Sequence, residues 1–291
     1  MKRKNTFHPY ALVTIFFWSL SYVLTALALT HFSPFSLGFL RYLFASAALV
    51  LAAVFIKIKA PKKQDLLWFA AAGAAGFFLY MIAFNQGQGA TTPATASVVM
   101  ATVPVVTALL ARLVYREKLK AFQWVAIGVE FVGVVLLTLM NGAFSVNPGL
   151  LWLFGAVLAL SSYNLLQRKL TKTYSALQVS TYSIFFGTAM LAIFAPTAIP
   201  QAVSAPAIQF VYLAVLGIFC SAIAYVSWAK AFSMAEKTSQ VSNYMFMIPF
   251  LAALLSFQIP DRATLIGGGI ILLGVFIFNF GGKFLQKNDG L

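Results

Sequence analysis

A chain of 291 residues that is 61% hydrophobic and 9% charged, with a mean hydropathy of +0.89, is not composed like a soluble domain, in which roughly a quarter of residues are charged. Lipid must be the solvent for most of it. The net charge of +14 would suggest nucleic acid in a soluble protein, but here the basic residues sit in short turns between apolar runs. That is the pattern membrane topology imposes, so no nucleic-acid partner is expected.

In chain order, apolar runs close to the ~20 residues that span a hydrocarbon core occupy 9–29, 34–56, 66–87, 92–115, 121–140, 149–167, 176–195, 208–229, 238–258 and 263–282. The first has full helix length and is followed by many more, so it reads as a crossing and not as a cleaved signal peptide. Lipid cannot satisfy free backbone groups, so each run is expected to be a helix. Cys220, the single cysteine, lies inside the eighth run, where it can form no intrachain disulfide and reads as a packing residue.

The basic residues fix an orientation. The N-terminus carries Lys2, Arg3 and Lys4, and turn 2–3 carries Lys57, Lys59, Lys62 and Lys63. Turn 4–5 carries Arg112, Arg116, Lys118 and Lys120, turn 6–7 Arg168, Lys169 and Lys172, turn 8–9 Lys230 and Lys237, and the tail Lys283 and Lys287. Only Arg41 and Arg262 fall elsewhere. The positive-inside rule then predicts a multi-pass protein with both termini cytoplasmic.

Thr92 to Leu137 and Thr238 to Phe278 are two copies of one pattern. Pro104 matches Pro249, followed by VVTALL and FLAALL, and Gly128 and Gly133 match Gly269 and Gly274. Residues 1–140 form one five-helix unit, 149–282 the other, and 283–291 a cytoplasmic tail. Five is odd, so the units cross the membrane in opposite directions. Inverted repeats of this kind recur in secondary transporters, with the substrate near the midplane between the halves. The second copy lacks four residues, about one turn, after its proline, so Glu117 faces Gln258.

These residues resemble the EamA-type branch of the drug/metabolite transporter superfamily, over essentially the whole chain. The marks are Ala96-Ser97 leading to Pro104, the Arg116-Glu117 turn, Gly128 and Gly133, the second copy at Pro249 and Gly269–Gly274, and Trp18-Ser19 and Arg41. The resemblance implies an all-α integral membrane protein of ten helices in two inverted repeats. It implies a plasma-membrane carrier whose central cavity is lined mainly by helices 1, 3, 4, 6, 8 and 9, with helices 5 and 10 peripheral. Relatives of this kind often export amino acids or other metabolites. The chain departs from the pattern after helix 9, where the acidic residue is absent and the helix is a turn short.

Each candidate residue has a functional and a structural reading. Arg41, about two turns into helix 2, is costly at membrane depth, and reads either as an anion contact or gate or as a partner for backbone carbonyls. Glu130 lies at the centre of helix 5, where loss of water favours the neutral acid. It reads as a proton carrier or as a protonated group bonded to a neighbouring helix. Tyr80 and Asn85 near the end of helix 3 match Tyr225 and Lys230 in helix 8, beside Trp228. They read as cavity lining or as interfacial aromatics. Ser97 and Thr102, Tyr163 and Asn164, and Asn243 and Tyr244 are polar groups within crossings, for substrate contact or helix association. Trp18 and Tyr22 of helix 1 join this set, Tyr22 matching Tyr163. Pro104 and Pro249 read as gating hinges or static kinks.

An enzyme is not expected. The two histidines lie near membrane edges and the three aspartates in turns or the tail, so no Ser-His pair, paired-Asp site or metal cluster can form within the membrane. No nucleotide-binding motif is present, so no cofactor is implied and any driving force is a gradient. The expected partners are a small-molecule solute and membrane lipid. The expected function is secondary transport, with a channel or a non-transporting scaffold as the alternatives.

Overall fold

The computed structural model describes residues 6–91, 93–140, 148–255 and 262–288, which form helices joined by short turns with no strand among them. Helices let each peptide group find its partner within one segment, the condition hydrocarbon imposes. The rods are α1 His8–Ala28, α2 Pro34–Ile56, α3 Lys63–Ala90, α4 in two pieces (Pro93–Met100 and Val103–Tyr115) and α5 Ala121–Met140. They continue with α6 Gly149–Leu170, α7 Ala176–Val203, α8 Ala207–Met234, α9 in three pieces (Thr238–Ser242, Asn243–Phe246, Met247–Leu255) and α10 Arg262–Asn288. Among the described residues, seven are long and apolar enough to cross a membrane by length and composition: α1, α2, α3, α4, α6, α7 and α8. The apolar stretches of α5 and α10 are shorter, and α9 is broken. Lys2–Lys4, the turn at 141–147, Gln258 and Asp261 lie outside the described residues.

Local chemistry sets the helix ends. Ser33 caps α2, accepting from the Ser36 N–H at 3.2 Å, with Pro34 in the first turn. Ser175 caps α7 in a reciprocal box with Gln178. Lys57 and Arg116 end α2 and α4 in the left-handed region, each returning its N–H to a carbonyl of the last turn. Arg168 donates to the carbonyls of Phe232, Ala235 and Glu236 and so satisfies the C-terminus of α8. One end departs from the sequence reading. α7 runs to Val203 instead of stopping near 195, because a short 3₁₀ turn at Ala192–Phe194 restarts the helix with Pro196 in its first turn, where a missing N–H costs nothing.

Packing uses small residues, as expected without a hydrophobic drive between helices in lipid. Gly133 of α5 lies so close to α10 that an added Cβ would meet Gly267 O at 2.9 Å, and Gly274 of α10 sits directly against the Glu130 side chain. Gly128 and its repeat match Gly269 have nothing within 4 Å of a built Cβ. The outer surface is apolar, with Phe55, Leu51, Leu151 and Val203 exposed, as a lipid-facing belt requires. At the end bearing the basic turns, Tyr174 donates to Asp65 at 2.5 Å, a bond that raises the tyrosine pKa. Glu117 accepts from the Thr238 N–H (2.9 Å) and hydroxyl (2.7 Å), tying α4 to the start of α9.

Candidate functional site

Two helices lose their regular winding at matching places. α3 contains a π-helical stretch at Ala74–Leu79 that ends at Tyr80, and α8 contains one at Val215–Ile223, two residues before Tyr225. An extra residue per turn is uncommon and occurs often at functional sites, because it redirects side chains and frees carbonyls. Near mid-height α4 and α9 are broken too. α4 turns at Ala101–Thr102 and restarts at Val103-Pro104, whereas α9 tightens to 3₁₀ at Asn243–Phe246 and restarts before Pro249. Both prolines sit in or near the first turn of a restarting segment, where they disrupt little.

Residues in or beside these irregular segments, Tyr80, Met100, Tyr225, Met245 and Ile248, line a small, partly enclosed cavity together with Trp18, Ser21, Tyr22, Arg41 and Leu160. Its free space holds about one water molecule. Trp18 lies ten residues into α1, about 15 Å from its start at ~1.5 Å per residue. The aromatic wall continues behind the lining. Trp18 packs on Tyr225 and Trp228 at ring separations of 5.1 Å, and Phe77 bridges Tyr225, Tyr163 and Tyr42 at 4.8–5.2 Å.

Arg41 is the one charged group on the lining, 3% exposed. Its Nε donates to Ser221 Oγ at 2.8 Å and its Nη2 to the Cys220 carbonyl at 3.4 Å, both within the π segment of α8. Ser221 in turn donates to the Leu216 carbonyl, five residues back. Close approach of α2 and α8 here depends on Gly217, whose added Cβ would meet Arg41 O at 2.7 Å. None of the described acidic residues Asp65, Glu117, Glu130 and Glu236 bonds to Arg41.

The structure therefore brings five of the sequence-selected residues to one cavity: Trp18, Tyr22, Arg41, Tyr80 and Tyr225. Tyr163 and Trp228 form the second layer, and Trp228 Nε1 donates to Asn164 Oδ1 at 3.0 Å while Asn164 Nδ2 donates to Thr107 at 3.2 Å. The others lie off the lining for physical reasons. Asn85 Nδ2 donates to the Pro34 carbonyl, and Thr102 donates to Val99 O beside the α4 break. Ser97 is buried in the first piece of α4. The tightened turn of α9 carries Asn243 to Glu130 of α5 (Nδ2 to Oε1, 2.8 Å) and Tyr244 to His8 (2.6 Å). Glu130 is thus completely buried against α9 and α10, away from the lining. Ser21, Met100, Leu160, Met245 and Ile248 were not singled out from the sequence, although Met100 and Met245 share the spacing of 145 that relates Tyr80 to Tyr225. Among the described residues no group of three or more His, Cys, Asp or Glu could hold a metal ion.

Comparison with known proteins gives a consistent picture. The sequence profile described as "EamA-like transporter family" matches residues 7–139 and again 147–280. A protein of Streptantibioticus cattleyicolor named "Probable terminal-alkyne amino-acid exporter" is 26% identical over 92% of this chain and 91% of its own. A Bacillus subtilis protein named as an uncharacterized transporter is 27% identical over 93% of this chain and 94% of its own. The "S-adenosylmethionine uptake transporter" of Rickettsia prowazekii is 26% identical over 84% and 82%. A solved crystal structure superposes with a TM-score of 0.76 over 95% of this chain and 97% of that one, at 20% identity, which bears on the fold alone.

Proposed function

The chain belongs to the EamA-like transporter family, and on that premise we propose that it is a secondary transporter exporting small organic solutes, such as amino acids or related metabolites, by alternating access. Ten crossings form two inverted five-helix repeats, in a plasma membrane with both termini cytoplasmic. The observation that carries this reading is one small cavity lined by residues at paired irregularities: Tyr80 and Tyr225 just after the π stretches at Ala74–Leu79 and Val215–Ile223, and Met100 and Met245 at the breaks ahead of Pro104 and Pro249. Discontinuous helices meeting between two halves are how such carriers build a midplane site. The inversion is supported by the serine caps. Ser33 and Ser175 occupy equivalent places in the two copies, yet Ser33 opens the helix after an uncharged turn and Ser175 the one after a basic turn. The named relatives move amino-acid-like solutes, one outward and one inward.

Accessibility of the cavity tests this without knowledge of the solute. In a Cys220→Ser background, Ser21→Cys should react slowly with a small impermeant thiol reagent applied to either face of a sealed vesicle, while Thr14→Cys, buried off the cavity, should not react. Reaction from one face alone contradicts alternating access.

A further inference from the structure

We infer that Arg41 is the anchor for an anionic head group, so that the cavity takes solutes with a carboxylate at one end and an apolar body at the other. This rests on the reading of the cavity as a solute site and adds the class of solute to it. A guanidinium has five N–H donors. Arg41 directs its Nε to Ser221 Oγ and one Nη2 hydrogen, at a long 3.4 Å, to the Cys220 carbonyl, which leaves the outer fork of the group to the cavity it lines. The side chain is 3% exposed and the lining holds no Asp or Glu, so its charge is hydrogen-bonded but not neutralised. A buried charge with no opposite charge is costly at membrane depth, and a planar fork of donors suits a carboxylate better than any single acceptor.

A structural role explains the contacts to α8, and the guanidinium carbon 5.9 Å from the Tyr42 ring centroid gives the charge an aromatic face but no counter-ion. At the spacing that relates Ser33 to Ser175, the position matching Arg41 in the second copy is Ser183, which is buried, small and neutral. If closing α2 on α8 required a cation, the corresponding packing of the second copy would be expected to use one too. The lining includes two pairs related by the repeat, Tyr80 with Tyr225 and Met100 with Met245, and Arg41 has no charged counterpart on it. The lining also includes Met100, Leu160, Met245 and Ile248, apolar side chains of which the two methionines can repack around bodies of different shape. The space holds about one water, so a solute must separate the rings to enter.

The test is a head-group series of constant body on purified wild-type protein: 4-methylpentanoate, L-leucine, L-leucinamide and 3-methylbutylamine, read by tryptophan fluorescence and thermal shift. The two carboxylates should bind at least tenfold more tightly than the amide and the amine. Arg41→Gln should bring that ratio close to one, and Arg41→Lys should keep part of it. Equal binding of amine or amide and carboxylate by the wild type overturns the proposal, as does failure of both carboxylates to bind, or retention of the ratio in Arg41→Gln. The wild-type series stands even if Arg41→Gln does not fold. Flux in liposomes separates this from the function itself. Transport of neutral or cationic solutes with no preference for carboxylates discards the anionic head and keeps the transporter, whereas no flux of any solute in a broad panel discards the transporter reading.

Discussion

Exchanging Glu130 for glutamine tests the chemistry of the carboxyl group buried between α5, α9 and α10. Asn243 Nδ2 donates to Glu130 Oε1 at 2.8 Å, while Glu130 Oε2 and Asn243 Oδ1 are buried with no partner. Two acceptors left over in a facing acid and amide lack one donor, and either a carboxyl proton or a glutamine amide supplies it. Glutamine also keeps the shape that packs against Gly274. A buried acceptor without a partner costs about 1–3 kcal/mol, so Glu130→Gln is expected to be neutral or to stabilise by up to about 1 kcal/mol. Asn243→Ala removes the single donor and should destabilise by about 1–3 kcal/mol. For a chain of this size each kcal/mol moves Tm by about 2–4 °C. Thermal unfolding in detergent, followed by tryptophan fluorescence, should therefore show little change or a rise for Glu130→Gln and a fall of about 2–12 °C for Asn243→Ala. A fall in Glu130→Gln as large as that in Asn243→Ala would refute the reasoning, because it would mean a charged carboxylate held by its surroundings. If Glu130 also carries the coupling proton, the same variant should lose dependence of flux on a pH gradient while still binding solute.

Further expectations concern the packing around the cavity, the contact of Glu117 with Thr238, and the topology. Gly187→Ala places a methyl group against Phe77, whose ring supports Tyr225, and overpacking of this kind costs about 1–3 kcal/mol; melting and solute binding should both weaken, and an unchanged Tm would contradict the contact. Glu117→Ala removes the acceptor for the Thr238 N–H and hydroxyl, a charge-assisted cap worth about 1.5–3 kcal/mol. It should lower Tm and speed labelling of the cavity from the cytoplasmic face, and equal labelling rates would count against Glu117 as a latch. For topology, Ser145→Cys and Ser204→Cys should react with an impermeant reagent from outside and Lys62→Cys should not.

The rods were legible because lipid makes one demand of all of them, a nearly charge-free apolar run of spanning length, and basic residues mark alternate turns. α1, α2 and α5 therefore begin within a residue of the apolar runs read from the sequence. The cavity residues Trp18, Tyr22, Tyr80 and Tyr225 were legible as large amphipathic side chains inside those runs, two of them related by the repeat. The π stretches were not, since Ala74–Leu79 and Val215–Ile223 are ordinary apolar sequence, and the extra residue per turn is a property of tertiary contact such as that of Gly217 with Arg41. The same limit applies to Asn243. Its depth was readable, but the 3₁₀ turn that rotates it towards Glu130 depends on α5 and α10 being there to receive it. Small residues likewise mark close packing only in context: Gly133 and Gly274 meet a neighbour, whereas Gly128 and Gly269 do not.

The most direct test of the account is counterflow in liposomes containing the purified protein, with labelled L-leucine and 4-methylpentanoate among a wider panel of small solutes. A carrier with one alternately exposed cavity should show saturable uptake that is accelerated by unlabelled solute inside, and Tyr225→Ala and Trp18→Ala should abolish it. Flux that rises linearly with concentration and ignores internal solute would indicate a channel, and no flux of any solute would contradict the account altogether.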